Sequence, residues 1–290
     1  MHEVEVKGIL SAQNGMNLYR GCTHGCIYCD ARSTCYQMQH AFEDVEVKKN
    51  GPELLEQALR RKRKRCMIGT GAMSDPYQPL EKELRLTRRC LELIDEYGFG
   101  LAIQTKSDLI LRDLDLLKSI SRKTKCVVQI TLTTSDEDLC RILEPGVCTT
   151  KRRIEVLRIL KEEGISTLVW MTPILPFLND TKENIEGILD ACAREKVYGI
   201  MNFGIGLTLR DGDRQYFYRK LDHHFPGLKQ RYVETYGNAY ELPVPEEKKL
   251  MAFLIDFCRK NKMEWRSEEL FAYLHRFEDR QEGKQLSLFD

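Results

Sequence analysis

Short apolar runs rich in β-formers alternate with longer stretches of helical periodicity through the first two hundred residues. That alternation admits few folds other than βα units around a parallel sheet. Helical patterns are predicted at 52–65, near 84–97, at 109–120, at about 151–163, where Gly164 stops the run, and at 182–195. Strands are predicted just before Cys22 and at 66–69, 101–105, 126–132, 167–171 and 198–204. These make about six units of a single α/β domain over residues 1–209. Residues 210–278 read as a helical C-terminal extension, including an amphipathic stretch at 246–260, and 279–290 as a polar, mobile tail.

The chain has 290 residues, enough for a large core, and eleven cysteines with no signal peptide and no long apolar segment. That usage points to a reducing, cytoplasmic setting, with no disulfide framework and no membrane. Lys plus Arg number 45 against 44 Asp plus Glu, a net charge of +1, so any nucleic-acid partner must be met by a local patch.

Three of the cysteines, Cys22, Cys26 and Cys29, stand in a 13-residue run, NLYRGCTHGCIYC, just after the first predicted strand. Thiolates are soft ligands that select iron-sulfur clusters or zinc. A four-iron cluster normally takes four thiolates, so a local trio leaves one iron open for an exogenous ligand. A zinc knuckle needs a fourth ligand, for which His24 and Cys35 are the nearby choices, at no familiar spacing. Cys35, Cys66, Cys90, Cys126, Cys140, Cys148, Cys192 and Cys258 show no second cluster spacing, and most are expected to be small buried apolar residues. The segments after the later strands also turn polar in phase: 69–81, 104–106, Thr131 with Thr133 and Thr134, and 173–180. In parallel α/β folds these strand-end loops hold the active site.

The CxxxCxxC spacing, with Tyr28 just before the last cysteine, resembles the signature of the radical S-adenosylmethionine (SAM) superfamily. With SDPYQPLE, QTKS, LEPGVCTTKRR and PILPFLND, it resembles the spore photoproduct lyase-related, DNA-repair photolyase-like branch, over roughly residues 10–200. The resemblance implies a partial (βα)6 TIM-like barrel of parallel strands. It also implies a [4Fe-4S] cluster on Cys22, Cys26 and Cys29, whose open iron binds SAM and cleaves it to a 5′-deoxyadenosyl radical, and an electron donor such as flavodoxin or ferredoxin. Tyr28, Gly71, Ser74, Lys106 and either Thr131 or Thr133 are implied SAM contacts, Lys106 as a cation for the SAM carboxylate.

The chain departs from that branch where a substrate radical would be quenched. Where spore photoproduct lyase has a cysteine two residues before the SAM-binding serine, this chain has Ala72, and Asp30 replaces the tyrosine after the last cluster cysteine. Efficient splitting of spore photoproduct is therefore not expected. Tyr77, Tyr19, Cys35, Cys140 and Cys148 are substitute hydrogen-atom donors to consider. The tail ends QLSLFD, and its QLSLF resembles the motif by which bacterial repair and replication proteins dock into the DNA sliding clamp. Leu288 and Phe289 would fill an apolar pocket, beside Leu286, and Gln285 would give polar specificity. The run Arg60 to Arg65 offers six consecutive cations, for phosphate contact or as the solvated end of a helix. The expected activity is a radical SAM enzyme acting on a DNA base lesion, the alternative being a small-molecule, peptide or RNA substrate.

Overall fold

The computed structural model describes residues 1–280. The chain opens with β1 (His2–Val4), β2 (Gly15–Met16), β3 (Tyr19–Arg20) and β4 (Glu46–Lys48). Then come α1 (Gly51–Arg61), β5 (Met67–Thr70), α2 (Glu81–Leu84), α3 (Leu86–Glu96), β6 (Gly100–Thr105), α4 (Leu114–Lys123) and β7 (Cys126–Thr131). α5 (Glu137–Leu143), α6 (Thr150–Glu162), β8 (Ser166–Trp170), α7 (Lys182–Arg194) and β9 (Gly199–Met201) complete the alternation. The last part holds β10 (Gly206–Thr208), α8 (Asp213–His224), α9 (Leu228–Tyr236), β11 (Glu241–Pro243), α10 (Glu247–Lys260) and α11 (Ser267–His275).

Six strands form one parallel sheet in the order β2-β5-β6-β7-β8-β9, the parallel sheet predicted by the βα alternation and the partial barrel that the resemblance implies. β7 is buried along its whole length, as a central parallel strand covered on both faces must be. On one face Met67, Ala102, Val127, Leu168 and Met201 pack against Leu270 and Leu274 of α11. Lys125, just before β7, donates to the carbonyl of Tyr273 at 2.6 Å, so a cation meets the C-terminal end of α11 at the start of that strand. α11 thus closes the N-terminal end of the barrel, and the opposite end stays open.

The strand just before Cys22 is not in this sheet. β3 pairs antiparallel with β4, which pairs parallel with β1, in a separate three-stranded sheet. The first strand of the main sheet is β2, whose two residues are too short to show an alternation. The helix near 84–97 is broken at Arg85, which takes the left-handed conformation (φ 54°) between α2 and α3. The C-terminal part is not wholly helical either: β10 and β11 pair antiparallel although 32 residues separate them. Two members of the basic run have partners in the fold: Arg60 bonds Glu56 and the Tyr97 hydroxyl, both at 2.6 Å, and Arg65 pairs with Asp279 at 3.4 Å. No helix among the described residues is long and apolar enough to cross a membrane.

Candidate active site

A cleft of about 530 Å³ opens where the strands end. Its walls are the cysteine loop, residues 71–75 after β5, 104–106 at the end of β6, Thr131 on β7, Trp170 at the end of β8 with Thr172 and Pro173 after it, and the β10–β11 pair with its approach at 203–205. Cys22, Cys26, Cys29, Tyr28, Gly71, Ser74, Lys106 and Thr131, chosen from sequence, all line it.

Two glycines make the walls possible. Gly21 has φ +88°, and a Cβ there would stand 2.4 Å from the carbonyl oxygen of Phe42; Gly71 has φ +101°, and a Cβ would stand 2.1 Å from that of Gln104. At either position a side chain meets backbone, so only glycine fits. The loop is then tied down by polar contacts. Ser74 Oγ donates to the Gly21 carbonyl at 2.6 Å, and Gln78 Nε2 donates to Ser74 Oγ at 3.2 Å. The Ser74 hydroxyl proton is therefore committed to the cysteine loop, which makes this residue a support of the loop as well as a wall of the cleft.

Asp75, which sequence reading passed over, holds the second wall. It accepts from the Tyr77 amide (2.8 Å), Thr105 Oγ1 (2.7 Å) and the Lys106 amide (2.8 Å), and lies 3.2 Å from His24 Nε2. Burial alone would raise its pKa, but the His24 charge and these hydrogen bonds outweigh burial and hold the carboxyl at about 2. Its position before Pro76, where aspartate commonly accepts from amides just downstream, was the available signal. His24 Nδ1 in turn lies 3.0 Å from the Gly146 carbonyl, and the Gly146 amide donates to the His24 carbonyl at 2.8 Å.

A buried network backs the third wall. The Tyr28 hydroxyl donates to Glu144, and Glu144 pairs with Arg153; both charged side chains are at most 1% exposed. Arg153 also donates to the Thr131 carbonyl at 2.7 Å, which joins the aromatic of the cysteine loop to the end of β7. The Lys106 ammonium sits 6.0 Å from the Tyr28 ring centre. Burial would lower its pKa, but Cys26, Glu144, Asp75 and Cys29 outweigh burial and raise it, so a fixed cation faces the cysteines.

The thiols carry the opposite strain. Burial pushes Cys22 up to about 12, with Asp75 and Cys29 adding to it, although the amides of His24 and Asp75 donate to its sulfur. Cys26 and Cys29 are raised by burial too, against the lowering effect of Lys106. Three thiols that resist ionisation, two of them buried and Cys29 half-buried, become ligands only when a cation compensates the charge. Nor are they placed for a single ion: the three sulfurs do not all lie within 4.8 Å of one another. A tetrahedral zinc with Zn–S near 2.3 Å holds its sulfurs ~3.8 Å apart, whereas a cluster takes each thiolate on a different iron and spreads them wider. The fourth ligands considered for a zinc knuckle are also engaged elsewhere, His24 as described and the exposed Cys35 beside Arg210 Nη1 at 3.3 Å.

The structure separates the two threonines. Thr131 lines the cleft and its buried Oγ1 has no hydrogen-bond partner among the described residues; nor has Thr133 Oγ1, which lies off the cleft. The proposed donors are mostly elsewhere. Tyr77 is fully buried and donates to Asp113 at 3.1 Å, Tyr19 donates to Glu81, and Cys140 sits 2.9 Å from Arg153 Nη2. None of these lines the cleft, nor does Cys148, whose Sγ lies 3.3 Å from the Lys106 carbonyl. Ala72 does line it, and among the described residues no cysteine but the trio does so. Trp170 and Phe203 were also missed from sequence. Their rings meet edge to face at 5.6 Å, and Phe203 is 57% exposed at the mouth.

Residues 16–192, which include the whole cysteine loop and four of the six parallel strands, β5 to β8, match the Radical SAM superfamily. The chain is a radical SAM enzyme. Its cofactors are accordingly a [4Fe-4S] cluster and SAM. It is 32% identical over 239 residues to an uncharacterized protein of Mycobacterium tuberculosis, covering 79% of this chain and 68% of that one. It is 36% identical over 176 residues to an uncharacterized protein of Methanocaldococcus jannaschii, covering 60% and 65%. A radical SAM Nalpha-GlyT isomerase of Pseudomonas phage M6 is 24% identical over 155 residues, 53% of this chain and 32% of that one. Among solved structures, spore photoproduct lyase in complex with dinucleoside spore photoproduct superposes with TM-score 0.60 at 16% identity, covering 84% of this chain and 72% of that one. A variant of the same lyase gives 0.63 at 15%, covering 86% and 74%. At such identities the likeness is one of fold.

Proposed function

We propose that this radical SAM enzyme repairs or modifies a base in DNA, held in the cleft between the cysteine loop and the Trp170–Phe203 pair, and that it is not an efficient spore photoproduct lyase. The observation that carries the reading is the aromatic mouth. Phe203 stands exposed above a cleft that ends in the cysteine trio, and a base taken out of its stack is recognised by such a surface.

In this reading Cys22, Cys26 and Cys29 hold the cluster, and Lys106 and the free Thr131 hydroxyl face the bound SAM. Once bound, the two cofactors supply a carbon radical that takes a hydrogen atom from the substrate. The chain's own part is to hold that substrate and limit where the radical can go. Ala72 offers a methyl where a thiol would quench a product radical, which is why rapid multiple turnover on spore photoproduct is not expected.

A polyanion must approach from one side. Glu241 of β11 and Glu247 at the start of α10 line one side of the cleft, so in this reading the phosphates meet Arg210, just past the end of β10, which lies 3.9 Å from Asp30 and bonds the Tyr240 hydroxyl at 2.8 Å. Those two glutamates favour the alternative, a substrate without phosphates such as a peptide. Recruitment to the sliding clamp through Gln285, Leu286, Leu288 and Phe289 belongs to the same proposal; these positions lie outside the described residues. So does reduction by flavodoxin or ferredoxin. The test is DNA binding by the reconstituted enzyme at several salt concentrations, beside a Phe203→Ala variant. Affinity that falls with salt and drops several-fold in the variant supports the DNA reading. Salt-independent or absent binding moves it to the peptide or small-molecule class.

A further inference from the structure

One cluster of donors lies outside the cleft. His2, His40 and Glu46 each bring a ligand atom within 4.8 Å of the others, the single such trio of His, Cys, Asp and Glu among the described residues. They come from separate parts of the chain. His2 is on β1, Glu46 is its registered partner on β4, and His40 is on the loop that leads into β4.

The hydrogen bonds around them are those of metal-ligating imidazoles. His40 Nδ1 lies 3.0 Å from the Ala41 carbonyl, which can only accept, so that nitrogen carries the hydrogen and Nε2 carries the lone pair. Nε2 faces Glu46 Oε1 at 2.8 Å. Two acceptors that close require a cation between them, either a proton or a metal. His2 Nδ1 lies 3.1 Å from Asp44 Oδ2, a carboxylate that would fix the tautomer and leave Nε2 for a metal. Arg20 Nη1, 3.6 Å from Glu46 Oε1, is a competing cation at that carboxylate.

The position gives an ion something to do. β1 is three residues long with its first two exposed, so apolar burial contributes little to holding it on β4. The loop bearing His40 backs the cysteines: the Cys22 amide donates to the Phe42 carbonyl at 3.2 Å, and Met38 Cε would be 3.0 Å from a Cβ on Gly21. We propose that His2, His40 and Glu46 bind a zinc ion, with water in the fourth position, and that this ion fastens β1 to the loop supporting the cysteines. Two imidazoles and a carboxylate suit zinc, and none of the three belongs to the cleft.

The test uses full-length, cluster-loaded protein, in which the iron-bound cysteines cannot compete for zinc. After equilibration with zinc and dialysis, elemental analysis should find about one zinc per chain in addition to the cluster iron. The same treatment should raise Tm. Replacing one ligand, by Glu46→Gln, which keeps the side-chain shape, or by His40→Ala, should weaken zinc binding at least about tenfold and abolish the rise in Tm. Equal zinc retention by wild type and Glu46→Gln, or none by wild type, would overturn the proposal and leave a protonated His–Glu pair.

Discussion

Glu144→Gln is the most informative single change behind the cleft, because it keeps the side-chain shape and removes one charge. Glu144 and Arg153 are 0% and 1% exposed, so the wild-type pair exists only because each charge compensates the other. Removing one partner of a buried pair costs about 3–5 kcal/mol, chiefly for the charge left behind. For a 290-residue chain, an unfolding entropy of about 2.1 cal/mol/K per residue makes that loss a fall in Tm of roughly 5–8 °C. The Tyr28 hydroxyl would lose its carboxylate acceptor at the same time. The assay is thermal and urea unfolding of the protein without cofactors, as a double-mutant cycle with Arg153→Met. Arg153→Met alone leaves a buried carboxylate, but the double variant leaves neither charge, so its cost should be at least ~2 kcal/mol less than the sum of the singles. A Glu144→Gln shift under about 2 °C, or additive costs, would refute the reasoning.

Gly71→Ala places a methyl against the Gln104 carbonyl at a positive φ, and should displace the 71–75 wall and lower SAM affinity more than tenfold, measured by calorimetry on cluster-loaded protein. Asp75 has its carboxyl pKa lowered from 3.8 to about 2 in the folded state, so its contribution, about 2 kcal/mol, is present above pH ~4 and lost as pH falls toward 2; unfolding between those values should be less pH-dependent in Asp75→Asn. Ala72→Cys puts a thiol in the lining, and should raise turnover on spore photoproduct above the wild-type level if a missing hydrogen donor is the limit. A peptide of residues 281–290 should bind purified sliding clamp, and no binding at high micromolar concentration would end that part of the proposal.

The βα alternation was legible because each βα unit repeats two periodicities that differ in kind, and the cysteine trio because its chemistry is local. What could not be read are features made by contact across the chain. Thr131 and Thr133 have the same parity along the sequence, and only the end of β7 at Thr131 decides which of them reaches the cleft. Asp75, Glu144 and Arg153 stand in the SDPYQPLE and LEPGVCTTKRR runs, but nothing local names their partners, and Glu144 and Arg153 are buried because they meet each other. The β10–β11 wall escaped because three-residue strands show too little alternation.

The most direct measurement is on anaerobically reconstituted protein given SAM and a reductant. About four irons per chain and release of 5′-deoxyadenosine are expected, with release abolished in Cys26→Ala. Bound zinc in place of iron, or 5′-deoxyadenosine still released by Cys26→Ala, would contradict radical chemistry at Cys22, Cys26 and Cys29.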